Sequence, residues 1–313
     1  MKTTLAARAL GQPWMLHKPV ADSLKAVMLR HAQGESLSGD AVEAIVQERE
    51  ERRRAIGRGR YAAASLERGM SIDPAKQEMW YRTGASSAVA VVPVEGLLCK
   101  YASMVNGMSQ PQGMTPADLR HAVATAMNTQ GVRCVLLDID SPGGTVAGGH
   151  DLCNVIEEAK AFRRADGTDV KIVAYAHDMC CSGAYLLASQ CDAVYCTEQA
   201  TVGSIGVCSC LVDESRMFEE AGIDVHLIAS SEVKGGGVYD GAKVTKAHKV
   251  AELQTVMEMA DWFTMRVAMG RGMSDEQAMA VATGEVWIGE RAVALGLCDG
   301  VRGFDELVAE LSQ

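Results

Sequence analysis

Residues 173–196 read VAYAHDMCCSGAYLLASQCDAVYC. The run VKIVAYA (170–176) has the continuous apolar, β-type pattern of a buried strand, and YLLASQC (185–191) has the apolar pattern of a helix face. Between them stands Ser182, followed at once by Gly183. A hydroxyl at a strand-to-helix turn, backed by a glycine that lets a second chain approach, is a way of presenting a nucleophile. A serine alone is inert, so whatever activates Ser182 decides the chemistry.

Outward from this junction, strand and helix signals alternate from Ser86 onward, which implies a largely parallel sheet with covering helices, an α/β fold. SAVAVVPVEGLL (87–98) reads as a strand. Thr115 caps a helix over TPADLRHAVATAMNT with Pro116 at its first position. VRCVLLDID (132–140) is a strand ending at the turn SPGGT, and AGGHDLCNVIEEAKAF (147–162) is helical. DAVYC (192–196) is a further strand. Beyond GSIGV (203–207) come a helix at SRMFEEAG, a strand at DVHLIAS (224–230) and a long helix from about Thr245 to Arg271.

Residues 1–85 have a different texture. Val42, Ile45 and Val46 have helical spacing behind a cap at Ser38 or Asp40, and EREERRR (48–54) places both charge signs at i,i+3 and i,i+4. A solvated helix face fits that run better than a basic recognition helix. The division expected is a helical amino-terminal arm over 1–85 and a catalytic domain over 86–313.

With 313 residues, 48% of them hydrophobic, the chain can bury a full core. Its net charge of −10 argues against bulk nucleic-acid binding. The amino terminus has no long apolar segment, and no later run is long and apolar enough to span a bilayer, so neither secretion nor membrane spanning is expected. The ten cysteines fall mostly inside apolar runs and read as free thiols of a reducing cytoplasm. Cys180-Cys181 and Cys208-x-Cys210 lack zinc spacing and a histidine pair, so no metal is expected. No phosphate-binding GxxxxGK[ST] loop occurs, and no cofactor is expected.

Histidine is the first activator to test. His177 lies five residues before Ser182, His150 opens the helix after SPGG, and His226 and His248 are far downstream. This spacing does not support a Ser-His-Asp triad, although it leaves His177 open. Lysine is the other base. Lys234, in LIASSEVKGGGVYDG (227–241), directly follows the expected strand and sits among glycines. An ammonium with a reference pKa near 10.4 needs burial or a neighbouring cation to act as a base at neutral pH. Spacing alone favours an exposed loop lysine over a buried one.

Taken together and in order, DSPGG (140–144), CSGAYLLA (181–188), GSIGV (203–207), IASSEVK (228–234), Arg271-Gly272 and GEVWIGERAVALGLCDGV (284–301) resemble the signal peptide peptidase A family of Ser-Lys endopeptidases. The likeness is greatest to its tailed-phage branch of head maturation and minor capsid proteases, and it covers about residues 86–301. It implies a fold like that of the Clp proteolytic subunit and the crotonases, here with an amino-terminal helical extension. It puts the nucleophile on Ser182, the general base on Lys234 and the lysine-orienting serine on Ser204. The turn in DSPGG corresponds to the oxyanion loop, with Gly143 and Gly144 as donors, joined by the amide of Gly183 after the nucleophile. Ala229-Ser230-Ser231 departs from the lysine-serine-glycine pattern common ahead of the base, which leaves Lys243 and Lys246 as alternatives.

The resemblance further implies a homo-oligomer, peptide or protein substrates, and, for a phage enzyme, scaffold, capsid or portal proteins as partners in the host cytoplasm or prohead. Met179, Tyr185 and Leu186 are candidates for a substrate groove, though a helix face of this kind is as readily core. Three alternatives stay open: a cytoplasmic signal-peptide-degrading relative, a capsid-assembly protein with silent catalysis, and a crotonase-like acyl-CoA enzyme.

Overall fold

The computed structural model describes residues 14–16, 71–73, 78–83, 87–100 and 114–313. The helix expected around residues 38–54 lies outside the described residues. In chain order the strands are β1 (Trp14–Leu16), β2 (Ser71–Asp73), β3 (Glu78–Thr83), β4 (Ser87–Glu95), β5 (Val132–Ser141), β6 (Gly143–Thr145), β7 (Lys171–Cys181), β8 (Ala193–Cys196), β9 (Thr201–Gly203), β10 (Val286–Ile288) and β11 (Gly300–Val301). The helices are α1 (Pro116–Asn128), α2 (Gly149–Ala161), α3 (Gly183–Ala188), α4 (Ser215–Glu220), α5 (Lys246–Arg271), α6 (Asp275–Val281), α7 (Glu290–Ala294) and α8 (Phe304–Leu311).

The alternation of strand and helix produces the mixed α/β architecture with a parallel-dominated sheet that the sequence implies. The main sheet runs β10-β9-β7-β5-β4-β3-β2, and β8, carrying β11, branches from β7. The pairs β4–β5, β5–β7, β7–β8 and β7–β9 are parallel; β10 closes one edge antiparallel, and β2 and β3 extend the other antiparallel. Residues 71–83 thus add two strands to the sheet from within the segment whose sequence reads as a helical arm.

Both faces of the sheet are buried, which is why its strands are continuously apolar rather than alternating. Ala90, Val92, Val135, Leu137 and Ile139 face a large core against α1, α2, α3 and α5, including Leu119, Ile156, Leu186 and Phe263. Val89, Val91, Cys134, Leu136 and Tyr175 face a smaller one closed by Leu307 and Val308 of α8.

Helix α1 starts as its sequence dictates. Thr115 accepts from the Asp118 amide, the Asp118 carboxylate accepts from the Thr115 amide, and Pro116 stands at the first position. Its other end is capped from a distance. Arg164 Nε donates to the Met127 carbonyl at 2.7 Å, and its terminal nitrogens donate to Val132 and Thr129 at 2.7 and 2.6 Å. The segment 224–230, expected as a strand, forms no ladder. Val225 and Leu227 are half-buried while Asp224, His226 and Ile228 are exposed, so the alternation is present without a neighbouring strand to pair with.

The Arg271 and Asp299 of the carboxy-terminal motif form a bidentate clamp between the end of α5 and β8. Arg271 donates to both carboxylate oxygens at 2.9 and 2.8 Å, and the Val194 amide donates to the same carboxylate at 2.7 Å. Partial burial works to raise the Asp299 carboxyl, and the Arg271 guanidinium with the Val194 amide outweighs it, holding the pKa below the ordinary value. Asp299→Asn is expected to lower unfolding stability at pH 7 by about 1–3 kcal/mol, the partial exposure of the carboxylate keeping the loss modest. The pair's contribution is present above the unfolded pKa of about 3.9 and is lost as pH falls through the lower folded one. Urea midpoints of wild type and variant are therefore expected to separate at pH 7 and converge in acid; equal midpoints at pH 7 would refute the clamp.

Candidate active site

β7 is longer than β8, and this sets the site. Its first half, Val173–Ala176, pairs with β8, and its second half, Met179–Cys181, pairs with β9. The strand therefore projects past β8, and Ser182 leaves its tip as the residue before α3. Ser182 has φ 55° and ψ −121°, in a region that side-chain-bearing residues seldom occupy. Such a conformation costs on the order of 1–3 kcal/mol and persists only where its surroundings enforce it. Here they do: the Ser182 amide donates to Gly203 at 2.7 Å, and its carbonyl accepts from Leu186 at 2.9 Å.

The side chain has no structural occupation to justify that cost. Ser182 is 1% exposed, yet its hydroxyl caps nothing in α3 and makes no hydrogen bond among the described residues. A hydroxyl with no capping task at a strained turn points to chemistry. The neighbouring thiol does not compete for that role. Burial pushes Cys181 up to about 12, and its sulfur donates to the Thr201 carbonyl at 3.4 Å, so it is a protonated, packed side chain.

Strand order brings the other motifs to this turn. Cys181 lies opposite Gly203, so Ser182 and Ser204 follow directly from a paired position on adjacent strands. Ser204 is also buried and also has positive φ, 52°, with its amide pinned to the Glu285 carbonyl at 2.6 Å. On the other side, Ser141 of β5 lies opposite Cys180, so the SPGG turn leaves its strand at the same level as the serine. Ser141 shapes that turn: its hydroxyl donates to Gly96 at 2.6 Å and accepts from the Gly143 amide at 3.2 Å. Gly143 adopts φ 98°, and a Cβ on Gly144 would meet the Leu98 carbonyl oxygen at 1.7 Å, so both positions exclude a side chain. Gly183 opens α3 and is buried beside Ser182. Thus Ser182, Gly183, Ser204, Gly143 and Gly144 all lie on turns at one end of β5, β7 and β9.

Lys234 differs from this group in its exposure. It lies in the turns following Ser231, exposed, and its ammonium makes no hydrogen bond or ion pair among the described residues. Lys243 and Lys246 are exposed as well.

The histidines are committed elsewhere. His177 Nδ1 pairs with the buried Asp138 carboxylate at 3.0 Å, and its ring packs on Tyr175 and Phe304, on the α8 face of the sheet. α3, which begins at Ser182, packs into the core on the opposite face. His248 Nδ1 accepts from the Thr245 amide as part of the α5 cap, and His150 packs edge-on against Trp262. Tyr185 and Leu186 are fully buried, with the Tyr185 hydroxyl donating to Leu297 at 2.9 Å, so they build core rather than a groove; Met179 is half-buried. The Asp138–His177 pair was not legible beforehand, because only the strand register brings the two together.

Residues 164–313 match the family model of Peptidase family S49. The chain is 33% identical over 228 residues to the head-tail preconnector protein GP5 of Enterobacteria phage P21, covering 72% of this chain and 43% of that protein. It is 31% identical over 225 residues to the capsid assembly protease C of Escherichia phage lambda, covering 68% of this chain and 46% of that one. It is 29% identical over 181 residues to a putative signal peptide peptidase SppA of Enterococcus faecium, covering 56% and 48%. The chain spans under half the length of each of these three relatives.

The strain at Ser182 can be measured directly. Ser182→Gly relieves the positive φ, whereas Ser182→Ala keeps it, so the glycine variant is expected to be the more stable of the two by about 1 kcal/mol. Equal urea midpoints for the two variants would show that the turn is not strained.

Proposed function

We propose, from the match of residues 164–313 to the model of Peptidase family S49, that the protein is a serine endopeptidase that cleaves scaffold or capsid proteins during phage prohead maturation. The observation that carries the chemistry is the position of Ser182 at a strained strand-to-helix turn, with a hydroxyl that caps nothing in the helix it precedes. The likeness to the lambda capsid assembly protease supports the substrate class. A Clp-proteolytic-subunit or crotonase-like fold for residues 86–313, with residues 1–85 as an arm, belongs to the same proposal, as does action in the host cytoplasm or prohead. Among the described residues no helix is long and apolar enough to cross a membrane.

In this reading neutral Lys234 takes the Ser182 proton as Oγ attacks the peptide carbonyl carbon. The tetrahedral oxyanion is held by the backbone amides of Gly144 in the SPGG turn and of Gly183, while the Gly143 amide, also expected as a donor, is spent on the Ser141 hydroxyl. The lysine then protonates the departing amine, and a water repeats the sequence to release the acyl group. Ser204, beside Ser182 in the strand register, orients the lysine. A base on an exposed loop needs cover. The surface near Lys234 is apolar: Val233 lines an open groove with Ala247, Val250 and Ala251, and Leu253 and Met257 continue the exposed stripe along α5. A second copy of the chain packed there would desolvate the loop, which favours a homo-oligomer as the active form.

The test is hydrolysis of fluorescein-labelled casein by wild type, Ser182→Ala and Lys234→Ala between pH 6 and 10. Wild-type rate is expected to rise with pH as the base loses its proton, and each variant to fall by about three orders of magnitude or more while remaining folded. Activity in Ser182→Ala equal to wild type would refute the serine mechanism. Activity retained only in Lys234→Ala would move the base to another residue.

A further inference from the structure

The SPGG turn does not present a bare edge. β6, the three residues Gly143–Thr145, pairs antiparallel with β1, Trp14–Leu16, with Trp14 opposite Thr145, Met15 opposite Gly144 and Leu16 opposite Gly143. The other edge of β6 is already committed. Leu98 donates its amide to the Gly143 carbonyl at 2.9 Å and accepts from the Thr145 amide at 2.9 Å. In a strand, successive residues direct their hydrogen-bonding groups to opposite edges. Gly143 O and Thr145 N–H face Leu98, so the N–H and C=O of Gly144 face β1 and meet Met15. Gly144 N–H is one of the donors assigned above to the oxyanion.

Sequence limits this pairing to a short segment. Pro13 and Pro19 bracket WMLHK (14–18), and a proline has no amide to extend a ladder. Extended peptides bind proteins by adding a strand to an available edge, with main-chain hydrogen bonds supplying affinity. β1 adopts that arrangement from within the chain, on the edge that borders the nucleophile turn.

We propose that Trp14–Leu16 is an internal competitor of the substrate: it fills the backbone-binding edge of β6 and must leave before a peptide can present its carbonyl to Ser182. This inference rests on the peptidase reading above for the identity of what it excludes. Because the segment belongs to the same chain, its pairing is intramolecular, so even weak strand pairing competes with a dilute substrate. The consequence falls on substrate binding rather than on the chemical step.

Met15→Pro in the full-length chain removes the central amide of β1 and is the test. Two measurements separate this inference from the peptidase reading. In the Ser182→Ala background, where no turnover occurs, Met15→Pro is expected to speed hydrogen exchange of the Gly144 amide by tenfold or more, read by NMR. With Ser182 intact, it is expected to lower KM for fluorescein-labelled casein about three- to tenfold with little effect on kcat. A synthetic peptide of residues 10–20 is expected to restore the higher KM, and the same peptide carrying proline at position 15 is not. Unchanged Gly144 exchange overturns the pairing, and accelerated exchange with an unchanged KM overturns the competition. A wild type and a Met15→Pro variant that are both inert toward casein refute the peptidase reading; binding of labelled 10–20 peptide to Met15→Pro, and not to wild type, then decides whether the edge is self-occupied.

Discussion

The backbone at Ser182 is held at a positive φ that an L-residue seldom adopts, and the hydrogen bond from its amide to Gly203 is what holds it there. That bond exists because β7 outruns β8 and finds β9 as a second partner. β9 in turn is fixed by β10, through the antiparallel register of Val286 with Gly203 and through the Ser204 amide on the Glu285 carbonyl. The segment GEVWI, more than a hundred residues from the serine, is therefore part of the support for its conformation. A strained turn that depends on three strands is one the chain cannot relax locally.

The two faces of the sheet divide the work of the polar residues. On the α8 face, Asp138 and His177 Nδ1 are joined by a hydrogen bond while their neighbours Tyr175 and Phe304 supply packing. A histidine near a serine in sequence is thereby spent on the wrong side of the sheet to serve it. On the other face the polar groups cluster where strands end. Ser141 spends its hydroxyl on the turn geometry, whereas the Ser182 hydroxyl caps nothing in the helix it precedes. The buried thiols follow the core: burial lifts Cys134, like Cys181, to about 12, which makes them packing groups rather than reactive ones.

Much of the fold was legible because its signals are local. Thr115-Pro116 marked the start of α1, and the apolar runs at 87–95, 132–141 and 171–176 gave three adjacent strands. Ser182 was legible as a strand-to-helix turn for the same reason. The failures are nonlocal. Residues 224–230 alternate like a strand and have none to pair with, because pairing is a property of two segments. The aromatic run EMWYRT carried a strand signal at 78–83 that the charged helix-like stretch upstream obscured. Arg164 gave no hint that it caps α1, since its carbonyl partners lie more than thirty residues away. Within the site, motif order named the serines and the SPGG glycines, which the strand register brings to one end of the sheet, and it could say nothing of whether Lys234 would be covered.

The site is thus asymmetric: its nucleophile turn is buried and rigid, while its proposed base sits on an exposed loop. A lysine in water stays protonated at neutral pH, its reference pKa lying about three units higher. Catalysis by Lys234 therefore needs an element that removes water from the 231–241 loop, and the apolar stripe of Val250, Leu253 and Met257 beside Val233 is the surface on which such an element would gain most from packing. β1 lies along one edge of β6, the edge proposed above for a peptide. The two features bear on different steps. Covering the loop creates the base and so acts on the chemical step, whereas releasing β1 admits the peptide and so acts on binding. In the proposed reading the two features are separable, because packing a second copy on the loop would leave the β1 pairing untouched.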